Sequence, residues 1–270
     1  MKNILALSIA AVLSVCSVHA DSTVVIKGSD TLGAKLVPQL AEAYKASHPG
    51  VSFSIAAEGS TTGIAAIIDG TADIGMASRR AFTTEVASAG ANGRNLKPTI
   101  VAYDGIAVIV NASNSVSALN KKQIEGIFTG AIKDWSEVGG KPGAISIYTR
   151  NTSSGTYSDF TKMAMSGKNY ADTAQKMAGN EEIASEVGKN ASGVGYVGMA
   201  YLNASGIKCL SVDGVKPSIG TVQNHSYPLS RSTFYYTNGT PTGEAASFLA
   251  FTISPAGQKI VQAVGFAPLK

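Results

Sequence analysis

Three short segments of this chain stand where an extended run passes into a helical one. They are Gly28-Ser29-Asp30-Thr31, Gly59-Ser60-Thr61-Thr62-Gly63 and Ser153-Ser154-Gly155-Thr156. A junction of this kind turns unpaired backbone N–H groups and one or two hydroxyls toward a single point, where the helix dipole adds partial positive charge. Arg79 follows the run Asp73-Ile-Gly-Met-Ala-Ser78, and Arg150 directly precedes the third segment. A planar guanidinium matches two oxygens of a tetrahedral anion. The chemistry implied is non-covalent capture of a small oxyanion. Its candidate groups are Ser29, Asp30, Thr31, Ser60, Thr61, Arg79, Arg150, Ser153, Ser154, Gly155 and Thr156. Each junction taken alone is equally a capped helix start; the three together, with two arginines, point to a ligand.

Other chemistries fit less well. Gly28 to Lys35 nearly spells a P-loop, but Ala34 stands directly after Gly33, where that motif needs lysine. Gly193-Val-Gly195-Tyr-Val-Gly198 matches the dinucleotide fingerprint letter by letter. It follows a helix and a loop rather than a strand, so it reads as a glycine-rich strand entry. A secreted hydrolase using Ser60 or Ser154 lacks both a Gly-x-Ser-x-Gly elbow and a histidine in a convincing triad. His48 and His225 lie far apart with no cluster at metal spacing, so no metal site and no cofactor are expected.

The first twenty residues read as a cleavable secretory signal peptide. Met1-Lys2 is a basic start, Ile4 to Val18 an apolar run, and Val18-His19-Ala20 a small-x-small cleavage site. A lipid-modified Cys16 is the less favoured variant, because Val15 is larger than the residue such a site wants. After cleavage Cys209 alone remains, too few for an internal disulfide, and it reads as a structural thiol. Without Lys2 the chain has 21 basic and 18 acidic residues, a formal +3. That mild charge, with no basic cluster interleaved with aromatics, argues against nucleic acid and suits small anions.

The elements that must position these groups alternate. Strands are predicted over 24–28, 51–57, 73–77, 99–103, 106–111, 144–149, 194–197, 207–212 and 232–236. Helices follow from Leu32 to Tyr44, with a possible kink at Pro38, and near 64–68, 84–89, 121–128, 156–165, 181–189, 243–251 and 255–264. This is an α/β protein with mainly parallel sheets flanked by helices. The junctions fall in both halves of the alternation, so a ligand touching all three lies in a cleft between two lobes. Lobe one is expected over 21–104 plus 228–270 and lobe two over 105–227, with crossings near 103–111 and 224–231 as the hinge.

The motifs IKGSDT (26–31), AEGSTTG (57–63), ADIGMASR (72–79), YDGIAVIVN (103–111), IFTGAIKDWSEVGG (127–140), TRNTSSGTYSDF (149–160), YPLSR (227–231) and GFAPL (265–269) occur in order along the mature chain. In this it resembles the periplasmic phosphate-binding proteins of bacterial phosphate ABC transporters. The resemblance implies a two-lobed type II periplasmic-binding-protein fold, inorganic phosphate bound in the inter-lobe cleft without catalysis, a membrane permease as partner, a monomer and a periplasmic location. Ser29, Thr31, Ser60, Thr61, Arg150, Ser154, Gly155 and Thr156 match its ligand motifs. Some members carry Asp where Arg79 and Thr152 stand here, which leaves the basis for rejecting sulfate open. A carboxylate facing the ligand accepts a hydrogen bond from a protonated oxyanion and repels a fully ionised one. Asp104 is the weaker candidate for that acceptor. Receptors for sulfate or molybdate, and a sensor or adhesion role, are the alternatives.

Overall fold

The computed structural model describes residues 22–269; the expected signal peptide and Cys16 lie outside them. Strand β1 (Ser22–Gly28) leads into helices α1 (Asp30–Gly33) and α2 (Leu36–Lys45), then β2 (Val51–Ala57), α3 (Ser60–Ile68), β3 (Ile74–Ala77) and α4 (Thr83–Ala91). Pro38 shapes this stretch by a different route from the expected kink. The helix stops at Ala34–Lys35 and restarts, so that Pro38 falls in the first turn of α2. A proline ring clashes with the carbonyl four residues back, here Ala34, and needs no N–H partner near a helix start. Leu36, Val37, Leu40, Ala41 and Tyr44 then form the buried stripe of α2.

The next strand, β4 (Leu96–Asn111), is continuous where two shorter runs were predicted. Beyond it lie β5 (Ala118–Leu119), α5 (Lys121–Thr129), β6 (Ser146–Arg150), α6 (Gly155–Ala164), β7 (Gln175–Met177), α7 (Asn180–Lys189) and β8 (Gly193–Gly198). The chain finishes with β9 (Ile207–Cys209), β10 (Ser211–Val212), α8 (Ile219–Gln223), β11 (Ser230–Asn238), α9 (Gly243–Ile253) and α10 (Pro255–Val264). The predicted strand over 207–212 is two pieces, because β9 joins β4 while β10 turns away to join β5.

The strand order is β2-β1-β3-β11-β4-β8-β6-β7, with β9 beside β4. Strands joined through helices run parallel: β1 with β2 and β3, and β6 with β7 and β8. Among the described residues every antiparallel pairing between two of these strands involves β4 or β11. These two strands carry the chain across the molecule. Strand β4 pairs with β11 from Leu96 to Gly105, then changes partner and pairs with β8 from Ile106 to Val110. The change falls beside Asp104, one of the candidate residues.

One apolar cluster packs α2, α9 and α10 on β1 through Leu36, Leu40, Phe248 and Val261, and extends through Tyr201 to Ile183 and Val187 of α7. A second packs α5 and α6 on the far half of β4 and on β8. Phe160 anchors α6 there: its ring stacks on Tyr196 at 4.1 Å and meets Phe128 edge-on at 4.8 Å. Since α6 begins at the third junction, this aromatic group sets where Ser154 to Thr156 stand. Phe160→Ala should destabilise the fold by about 3–5 kcal/mol, measured as a lowered urea midpoint at unchanged slope.

Candidate oxyanion site

The three junctions meet. At the first, Asp30 and Thr31 face residues from the other half of the molecule. Thr31 Oγ1 lies 2.9 Å from Thr156 Oγ1, and both residues are buried. The Asp30 carboxylate accepts from Arg150 Nη1 at 3.0 Å, from Asn180 N at 3.0 Å and from Asn180 Nδ2 at 2.6 Å. Ser29 stands in the cap position of α1 and is buried, yet its hydroxyl caps no backbone N–H.

At the second junction, Ser60 Oγ accepts from the Ser78 N–H at 2.9 Å. Thr61 donates its N–H to the Ser153 carbonyl at 3.1 Å, and its hydroxyl accepts from Arg79 Nη2 at 2.9 Å. The approach between the halves is tight enough to exclude side chains. A Cβ on Gly59 would lie 2.5 Å from Ser153 Oγ, and one on Gly155 would lie 2.3 Å from Ser60 Oγ and 2.7 Å from Ser78 Oγ. At the third junction Ser154 Oγ caps α6 by accepting from Tyr157 N at 3.2 Å, and Ser153 Oγ donates to Asn151 Oδ1 at 2.7 Å. Behind Arg150, the Tyr196 hydroxyl bonds Thr149 Oγ1 at 2.6 Å and the Arg150 N–H at 3.3 Å. Burial pushes that phenol up to about 12, so it stays neutral.

Each arginine is held by a carboxylate. Glu85 grips Arg79 with both oxygens, at 2.7 and 2.8 Å, and the Phe82 ring covers the guanidinium at 3.8 Å. Asp30 holds Arg150. Asp104 Oδ2 accepts from Arg231 Nε at 3.1 Å and Nη2 at 2.8 Å, while Oδ1 accepts from the Met199 N–H at 3.0 Å. Arg231 Nη2 also donates to Thr156 Oγ1 at 3.0 Å. Burial pulls the Arg150 pKa down and Asp30 opposes that pull.

The pairing leaves a residue of donors. Among the described residues four buried side-chain polar atoms have no hydrogen-bond partner: Arg79 Nε, Arg150 Nε, Arg231 Nη1 and Tyr235 OH. Three of them are guanidinium N–H groups of these arginines. A buried donor without a partner costs about 1–3 kcal/mol, more for a charged group. An acceptor brought by a ligand would satisfy them.

Sequence reasoning did not single out Arg231, Ser78 or Asn180 as site residues. Arg231 lay in view within the YPLSR motif, but only as part of the hinge. Asn180 offered no local signal beyond standing at a helix start, and its burial comes from contacts with Asp30, Thr31 and the Gly198 N–H. Ser60 and Ser154 hydrogen-bond no histidine: His48 stacks on Tyr44 at 3.9 Å, and His225 meets Tyr103 edge-on at 5.5 Å. Burial pushes the Cys209 thiol up to about 12, which leaves it without thiolate character.

The sequence pattern of the PBP superfamily domain matches residues 17–256. The chain belongs to this superfamily. Within it the chain belongs to the phosphate-binding protein family of its relatives. It is 32% identical over 251 residues to the phosphate-binding protein PstS of Bacillus subtilis (strain 168), covering 93% of this chain and 82% of that one. Among solved structures, a substrate-binding protein with bound phosphate from Clostridium perfringens is 34% identical, with a TM-score of 0.85 over 92% of this chain and all (100%) of that one. An ABC-type phosphate transport receptor from Vibrio cholerae is 29% identical, with a TM-score of 0.76 over 92% and 100% of the two chains. The fold expected from the resemblance, α/β with mainly parallel sheets and two crossing strands, is the fold of this family. Among the described residues no helix is long and apolar enough to cross a membrane.

Proposed function

We propose that this chain binds inorganic phosphate between two lobes, 21–104 with 228–270 and 105–227, and delivers it to the permease of an ABC transporter. The observation that carries the reading is the set of buried, unpartnered guanidinium N–H groups on Arg79, Arg150 and Arg231. Two come from lobe one and one from lobe two, so an anion bonded to all three favours the closed arrangement over any open one. The Ser29, Thr31, Ser60 and Ser154–Thr156 segments surround them with hydroxyls and backbone N–H groups. Asp30 and Asp104 serve by fixing Arg150 and Arg231, and Glu85 by fixing Arg79. No bond in the ligand is broken: the role is capture and release. Family membership supports the same reading, with a monomer acting in the periplasm after removal of 1–20.

Calorimetric titration of the phosphate-stripped protein with phosphate tests it. One-to-one binding is the expected result, and no heat overturns it. A second expectation follows from the pairing of Arg79, Arg150 and Arg231, each with a carboxylate. The three pairs carry no net charge, so long-range attraction contributes little and buried bonds are poorly screened. Phosphate affinity should change by no more than about threefold between low and physiological salt; a steep decline would mean that free positive charge, not fixed hydrogen bonds, holds the ligand.

A further inference from the structure

The carboxylates around the arginines differ in what they have left to accept. Asp30 receives three donors and Asp104 three; Glu85 receives both Nη groups of Arg79 and the Phe82 N–H. Asp159 is the exception, hydrogen-bonded to nothing among the described residues. It lies on α6 one turn beyond Gly155 and Thr156, so it shares the face that Thr156 turns to Arg231. Its Oδ2 stands 3.9 Å from Arg231 Nη1, the unpartnered donor. Its side chain is 21% exposed, and it also lines a cavity between α6 and the Arg80–Thr83 loop. Asp159 therefore stands between the solvent side of the cleft and the buried donors.

We infer that Asp159 is the specificity-determining residue of the oxyanion site, accepting a hydrogen bond from the protonated oxygen of the ligand while Arg231 Nη1 donates to a neighbouring oxygen. This rests on the phosphate reading above. Asp104 is thereby replaced in the acceptor role, since both its oxygens are already engaged. The groups facing Asp159 are Arg231 from β11 with Asp104 behind it, Arg79 just beyond the end of β3, and Lys162 on its own helix. Burial pushes the Asp159 carboxyl upward and the three cations oppose that; the acceptor role belongs to its ionised form, which those cations favour. Hydrogen phosphate brings a proton to share with it. Sulfate at neutral pH brings none, and two negative oxygens would then meet without a bridge.

The test compares phosphate and sulfate binding by calorimetry in the wild type and in Asp159→Asn, at neutral pH, with thermal unfolding confirming that the variant folds. The asparagine amide can donate to an unprotonated oxygen, which turns the repulsion into a contact. In the wild type, sulfate at about a hundredfold excess should leave phosphate binding unchanged. In Asp159→Asn the ratio of phosphate to sulfate affinity should fall at least about tenfold. Should the asparagine variant fold poorly, Asp159→Ser serves the same comparison. A ratio that stays within about twofold of the wild-type value, or a wild type that binds sulfate as tightly as phosphate, overturns the assignment while leaving oxyanion binding intact. A wild type giving no heat with phosphate overturns the function itself, and this inference with it.

Discussion

Arg150→Ala should weaken phosphate binding by roughly 100-fold or more. The change removes this guanidinium and its unpartnered Nε. It also strips Asp30 of the cation 3.0 Å away and leaves a carboxylate, 12% exposed, with only the two Asn180 donors. Breaking a buried pair by deleting one partner costs about 3–5 kcal/mol, and that loss falls on the closed arrangement, where the pair exists. Arg150→Lys separates charge from geometry. One ammonium cannot hold Asp30 and also present a second donor in the direction of Nε, so lysine should recover only part of the affinity. Titration calorimetry reads both variants, and a loss below about threefold for alanine removes Arg150 from the site.

Gly155→Ala carries the second large effect, from a single methyl group. Gly155 opens α6 and faces Ser60 and Ser78 across the cleft. A Cβ there would sit 2.3 Å from Ser60 Oγ, a contact real side chains do not make. Ser60 cannot swing away freely, because its hydroxyl accepts from the Ser78 N–H. The lobes must then stay apart or the junction must deform. Overpacking of this kind costs about 1–3 kcal/mol, which corresponds to roughly 5- to 150-fold in phosphate affinity. The clash exists only across the closed cleft, so thermal stability without phosphate should scarcely change. The shift in melting temperature on adding phosphate should shrink. A variant that melts early without ligand but keeps its affinity would show that Gly155 matters to the fold and not to closure.

The elements were legible because their signals are local. Alternating apolar runs, the helix starts at Ser60 and Gly155, and the end of α3 before Asp69-Gly70 depend on neighbours a few residues away. Helix α10 matches its predicted span, 255–264, from Ser254 as cap and Pro255 at the first position to Gly265 beyond the last turn. Strand β4 was harder. Asp104-Gly105 reads as a turn, but the strand runs through it because Asp104 finds Arg231 and the Met199 N–H, and β11 and β8 share the hydrogen bonds of its two parts. Short pieces such as β5, β7 and α8 carry too few residues to show a period.

Which residue types gather at the junctions is set by the sequence alone: Gly for close approach, Ser and Thr for hydroxyls and caps, Arg at strand ends. Which of their atoms remain open to a ligand was decided by the tertiary structure. Arg79 is taken up by Glu85, only six residues on, whereas Asp30 meets Arg150 from 120 residues away and Asp104 meets Arg231 from 127. The reason is physical. A buried charged group must find a partner, and that partner is chosen by the folded neighbourhood rather than by chain spacing. Donors and acceptors left over from those pairings, three guanidinium N–H groups and the Asp159 carboxylate, exist as a set only once the strands have crossed.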